Sequence, residues 1–105
     1  MPLAGTDTLP GAQGQLIANP NGQSAVLLVS GLPPLEPGQV YQFWLVQDDT
    51  SQRAGVFSVD AQGVGTLRIT ADAAIGSYEA MGVSVEPAGG SEEPTGDMIM
   101  LGSFS

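Results

Sequence analysis

The chain has 105 residues, enough for one domain with a modest core, and sets eleven carboxylates against two arginines for a formal charge of −9. Such a balance argues against nucleic acid as a partner, because affinity there rests on neutralised phosphates, and against an anionic lipid surface. Lysine, histidine and cysteine are all missing, which removes the commonest general base, the usual amine and thiol nucleophiles, and any disulfide or thiolate metal site.

Residues 1–13 are rich in Gly, Pro and Thr with no hydrophobic period, and read as a flexible linker; residues 14–105 read as the folded domain. Seven strand-like runs follow: Gln15–Ala18, Ser24–Ser30, Val40–Gln47, Ala54–Val59, Val64–Thr70, Glu79–Glu86 and Met98–Phe104. Asn19–Gly22 and Asp60–Gly63 carry hairpin chemistry, with Asn or Asp opening the turn and Gly taking positive φ. Leu32–Gly38 cannot lie inside a sheet, since Pro33, Pro34 and Pro37 lack backbone donors. The strand after it is apolar on both faces: Tyr41, Phe43 and Leu45 on one, Val40, Trp44 and Val46 on the other, as expected of a central, covered strand. Thr70–Gly76 is the one segment suited to a helical turn, with Thr70 or Asp72 as its cap. The pattern predicts an all-β fold, an antiparallel immunoglobulin-like β-sandwich of about seven strands with Trp44 as a core anchor; a small closed barrel is the alternative.

Candidate sites are few. Asp48-Asp49-Thr50-Ser51 has the oxygen ligands of half a calcium site but not EF-hand spacing, and reads better as a solvated loop. Glu92, Glu93 and Asp97 offer carboxylates for acid–base work, yet they stand in a Gly/Pro-rich loop that favours exposure. Gly63-Val64-Gly65 and Gly89-Gly90 lack the lysine and the strand–loop–helix setting of a phosphate loop. Tyr41, Phe43, Trp44, Phe57, Tyr78 and Phe104 are assigned to core packing rather than to a sugar-stacking face. No catalytic residue, metal ligand or cofactor is expected, which leaves a scaffold, binding or sensory role.

Two runs are specific. One is Leu32-Pro33-Pro34-Leu35-x-Pro37-Gly38-x-x-Tyr41-x-x-Trp44, followed by Gly55-Val56-Phe57. The other is Val83-x-x-Glu86-Pro87-Ala88-Gly89-Gly90-Ser91-x-x-Pro94-Thr95-Gly96, ahead of a closing apolar strand. In this order they resemble the C-terminal domain of the bacterial anti-sigma-K factor family, over roughly Gly14 to Ser103. The resemblance implies a modular, single-pass membrane protein whose N-terminal cytoplasmic segment holds an extracytoplasmic-function sigma factor. This domain would lie outside the membrane, and regulated proteolysis would release the sigma factor. The expected partners are then a site-1-type protease or a sensory protein, with sigma reached only through the N-terminal segment; Met1–Gln13 would be the end of a juxtamembrane tether. The motif residues are structural in this reading, so the resemblance carries over no catalytic or ligand residue. A cell-surface carbohydrate or small-ligand binding module is the competing function.

Overall fold

A computed structural model describes residues 1–104. Eight strands run in chain order: β1 Pro2–Gly5, β2 Gln13–Ala18, β3 Ser24–Ser30, β4 Gln39–Gln47, β5 Thr50–Phe57, β6 Gly65–Thr70, β7 Ala80–Pro87 and β8 Met98–Ser103. All pairings are antiparallel, and the strands form one continuous ladder in the order β5-β4-β7-β8-β1-β2-β3-β6. The sheet curls on itself until its two end strands meet, where Gly55 of β5 lies against Leu67 of β6. The fold is thus all-β, antiparallel and sandwich-like, as expected, and nearly closed into a barrel. No helix among the described residues is long and apolar enough to cross a membrane.

Alternation places the core. Inward residues include Leu3, Leu16, Leu27, Val29, Tyr41, Phe43, Leu45, Ile69, Met81, Val83 and Met100, and all are buried. Two bulges sharpen the curl. Ala54 is the extra residue opposite Phe43 and Trp44, and Ile99 the extra residue opposite Val83 and Ser84. Gly55 completes the first bulge at φ +147°, a conformation side chains rarely adopt, and a Cβ there would press on Leu67 at 3.0 Å.

The structure departs from the sequence reading in four places. All seven expected strands are present, but an eighth arises inside the stretch read as a flexible linker. Pro2–Gly5 pairs with both β2 and β8, and Leu3 is buried. Asp60–Gly63 forms the expected Asx turn, with Asp60 Oδ1 accepting from the amides of Gln62 (2.9 Å) and Val64 (3.0 Å) and Gly63 at φ +82°. It joins the two end strands, however, and no ladder connects them among the described residues. Gly22 closes the Asn19 turn without positive φ. The helical turn is a single 3₁₀ turn at Ile75–Ser77 whose N-cap is Ala74, with no side-chain cap; Asp72 instead accepts a hydrogen bond from the Gln52 side chain.

Candidate functional site

The two specific runs converge on one feature, a strap of residues 88–97 folded back over the outer face of β4 and β7. The proline-rich run sets the scaffold. Leu32 is buried, and its amide donates to the Gly63 carbonyl at 3.3 Å. The Tyr41 hydroxyl donates to the Pro33 carbonyl at 2.5 Å, which ties the start of β4 to the segment that feeds it. The Tyr41 ring stacks on Phe57, its cross-strand partner, with centroids 5.6 Å apart, and burial pushes the phenol pKa up. Pro34 and Pro37 are exposed in this connection, and Gly38 turns at φ +90° into β4. The Gly38 carbonyl accepts from the Ala88 amide at 2.9 Å, so the first run meets the second at this point.

Under the strap lies a chain of buried polar groups. Trp44 is fully buried, but on the face opposite the main core, directly across from Gly82 of β7. Its indole Nε1 donates to Ser84 Oγ at 2.8 Å, and Ser84 Oγ donates to Glu86 Oε2 at 2.5 Å. Glu86 is 1% exposed and is the one fully buried carboxylate among the described residues. It also accepts from Ser91 Oγ (2.9 Å), Thr95 Oγ1 (2.5 Å), the Thr95 amide (3.2 Å) and the Gly96 amide (3.4 Å). Gln42 clamps the middle of the strap, donating to the Ser91 carbonyl at 2.9 Å and accepting from the Ser91 amide at 2.8 Å. Among the described residues no buried side-chain polar atom lacks a partner.

The electrostatics follow from that donor count. Burial by itself raises the Glu86 pKa, but donors from Ser84, Thr95 and Ser91 and the Thr95 amide outweigh it and hold the carboxyl at about 2, against an ordinary 4.5. Glycines make the strap's path possible. Gly89 and Gly90 sit at φ +92° and +83°, and Gly90 packs so closely that a Cβ would touch Gln42 Oε1 and Val56 Cγ1 at 3.0 Å. A Cβ on Gly96 would meet the Val85 carbonyl at 2.8 Å. Pro87 ends β7, and Pro94 is half-buried in the strap.

Elsewhere the candidate chemistry disperses. Asp48 and Asp49 form a two-residue hairpin loop at φ +53° and +64°, the left-handed pair of a type I′ turn, and the Asp48 amide donates to Glu79 Oε1 at 2.7 Å. Among the described residues no cluster of three acidic side chains is placed to hold a metal ion. Glu92 is exposed and pairs with Arg53 at 2.9 Å, while Glu93 and Asp97 are exposed. Tyr41, Phe43, Trp44, Phe57 and Tyr78 are buried and Phe104 is half-buried, so the described aromatics offer no sugar-stacking platform. Sequence reasoning named Trp44 and Glu86 but missed that Gln42 and Ser84 join them. The signal was available: Gln42 is a polar residue in a strand whose interior is otherwise apolar on both faces, and Ser84 stands two residues from Glu86 on the same face of its strand.

Comparison with known proteins agrees with these motifs. Residues 3–98 match the family described as anti-sigma-K factor rskA, C-terminal. A similar protein, an uncharacterized protein in the phr 5′ region of Streptomyces griseus, is 35% identical over 96% of this chain and 41% of its own length. The anti-sigma-K factor RskA of Mycolicibacterium vanbaalenii is 43% identical over 69% of this chain and 29% of its own length. That of Mycobacterium ulcerans is 31% identical over 87% and 38%. The chain therefore spans well under half the length of these relatives. No solved structure matches. The matched span of residues 3–98 includes both runs, and the chain belongs to the anti-sigma-K factor RskA C-terminal domain family.

Proposed function

We propose that this domain is the non-catalytic, extracytoplasmic regulatory part of a membrane-anchored anti-sigma factor, and that it controls release of an extracytoplasmic-function sigma factor through regulated proteolysis. Family membership supports the regulatory reading. The observation that carries the non-catalytic part is the use made of the motif residues. Glu86, Trp44, Ser84, Ser91 and Thr95 spend their polar atoms on one another, and the carboxylate is held ionised and covered rather than poised in a cleft. The sigma factor is contacted by a segment of the longer protein outside these residues, and a site-1-type protease or sensory protein is the partner on this side of the membrane. The domain acts as a stable, acidic body that governs access to the adjoining chain.

The test uses the full-length parent with a sigma-dependent reporter. Exchanging the domain for an unrelated stable domain of similar size is expected to abolish induced release, and deleting it is expected to raise basal release. If exchange leaves basal and induced release unchanged, the domain is no specific sensor. If deletion also changes nothing, the regulatory reading fails.

A further inference from the structure

Two segments of the chain are each held by few contacts, and they meet at the start of β8. The strap is the first. Among the described residues, no backbone–backbone hydrogen bond ties residues 91–97 to the sheet. The Gln42 and Glu86 side chains hold that stretch, and its one further bond is the exposed Arg53–Glu92 pair. The second segment is β1, which is short and has Leu3 as its one buried side chain. It pairs with three residues of β2 but only with Leu101 and Met100 of β8. Segments with so few buried apolar contacts open at a lower free energy than the sheet as a whole. The joint between them is short. Glu86 Oε2 accepts from the Gly96 amide at 3.4 Å, which fixes the end of the strap. Two residues on, the Met98 carbonyl accepts from Thr6 Oγ1 at 3.1 Å, and the Ile99 carbonyl from the Thr6 amide at 2.9 Å. Met98 is the first ladder residue after the strap and pairs with Ser84, whose hydroxyl bonds Glu86. Ile99 is the extra residue of the β7–β8 bulge, where the ladder is locally disrupted. Thr6, where the chain leaves β1, therefore takes both its acceptors from a strand end that the strap secures.

We propose that the strap is a latch for β1. When the strap leaves Gln42 and Glu86, the start of β8 frays, Thr6 loses its two acceptors, and β1 peels from the sheet. The link runs through one contiguous set of bonded residues, and each segment has two arrangements, bound or free. Coupling of this kind is reciprocal, so drawing β1 out also loosens the strap. In the closed state the Leu9 amide donates to the Thr6 carbonyl and the Ala12 amide to the Leu9 carbonyl, both at 3.0 Å, which keeps the loop after β1 compact. Opening turns residues 1–12 from a strand and a compact loop into an extended segment that a protease can grip. As a control on proteolysis the latch rests on the regulatory reading of the domain; the coupling itself is a property of this chain.

Native-state amide exchange on the chain tests the coupling. Glu86→Gln and the milder Gly90→Ala loosen the strap and touch neither β1 nor its loop. Each should speed exchange at the Thr6 amide by about fivefold or more. The control is Ile69→Val, a core change in β6, which β2 and β3 separate from β1. It lowers global stability without touching the latch and should leave the Thr6 rate as it was. In the other direction, Thr6→Val keeps the side-chain shape but removes the bond to the Met98 carbonyl. It should speed exchange at the Ser91 amide, which is bonded to Gln42. Proteinase K should nick residues 6–12 faster in Glu86→Gln than in Ile69→Val. Thr6 exchange that neither strap variant alters, or that Ile69→Val raises as much, overturns the latch. So does Ser91 exchange indifferent to Thr6→Val. Coupled exchange with unchanged sigma release from a parent carrying Gly90→Ala would leave the latch standing and count against the regulatory reading.

Discussion

Glu86 concentrates the energetics of the outer face in one side chain. A buried carboxylate with five donor groups around it, three hydroxyls and two amides, stabilises the fold while it is ionised, because every partner donates to it. Its folded pKa of about 2 lies below the ordinary 4.5, so the stability it lends is fully present above about pH 5 and is lost as pH falls towards 2. A shift of that size corresponds to about 3 kcal/mol. Glu86→Gln keeps the shape but sets an amide against donors, and should cost on the order of 2–4 kcal/mol at pH 7. The pH dependence is the sharper measurement. Acidification also discharges the surface and relieves repulsion, which affects parent and variant alike. The stability difference between them, from urea midpoints, should therefore shrink steadily from pH 5 to pH 2. A difference that is constant across this range would mean that Glu86 is not held ionised by its donors.

At the scale of elements, the strap is where sequence and structure diverge most instructively. Residues 88–97 look like a long, glycine-rich loop, and composition alone predicts exposure. What composition does not reveal is that Gln42, Trp44, Ser84 and Glu86 share a sheet face, because that depends on β4 and β7 being ladder neighbours across 40 residues of chain. The two-faced apolar pattern of β4 did announce a cover on both sides. It did not say that one cover would be a polar strap, nor that Trp44 would lie under it rather than in the main core. β1 was illegible for a related reason: four residues including Pro2 and Gly5 carry little strand propensity, and their structure comes from the gap between β8 and β2 that Leu3 fills. Alternation was legible in β3 and β6, where burial and sequence pattern coincide. The strap's own glycines offer a paired test. Gly89 and Gly90 share positive φ, but only Gly90 is packed against neighbours. Gly89→Ala should cost about 1 kcal/mol from backbone strain alone, whereas Gly90→Ala should cost about 2 kcal/mol or more. Trp44 emission provides the local readout. Gly90→Ala should shift it to longer wavelength by loosening the strap, and Gly89→Ala should not; equal behaviour would mean that the strap's close approach to Gln42 and Val56 does not hold it shut.

On the scale of the whole molecule, charge opposes compaction. Eleven carboxylates and two arginines are drawn into a body of 12.5 Å radius of gyration, where an unfolded chain of this length would spread them over a radius of about 30 Å. Only Arg53–Glu92 forms an ion pair among the described residues, and both partners are exposed, so local pairing offsets little of the repulsion. Treating the charge as spread over spheres of these sizes, the penalty falls by about 2 kcal/mol when the Debye length shortens from ~30 Å at 0.01 M salt to ~8 Å at 0.15 M. Urea midpoints at micromolar protein should therefore rise with sodium chloride and rise equally with choline chloride. Calcium at matched ionic strength should add nothing, because Asp48 and Asp49 form a turn rather than a ligand cluster. A midpoint that stays flat or falls with salt would show that the carboxylates are too well separated, or too well hydrated, to strain the fold. The same experiment on Arg68→Gln fixes the sign independently. Removing one of two cations raises the magnitude of the net charge, so this variant should lose stability at low salt and recover most of it at 0.15 M, whereas loss of a specific contact would leave a deficit that salt does not repair.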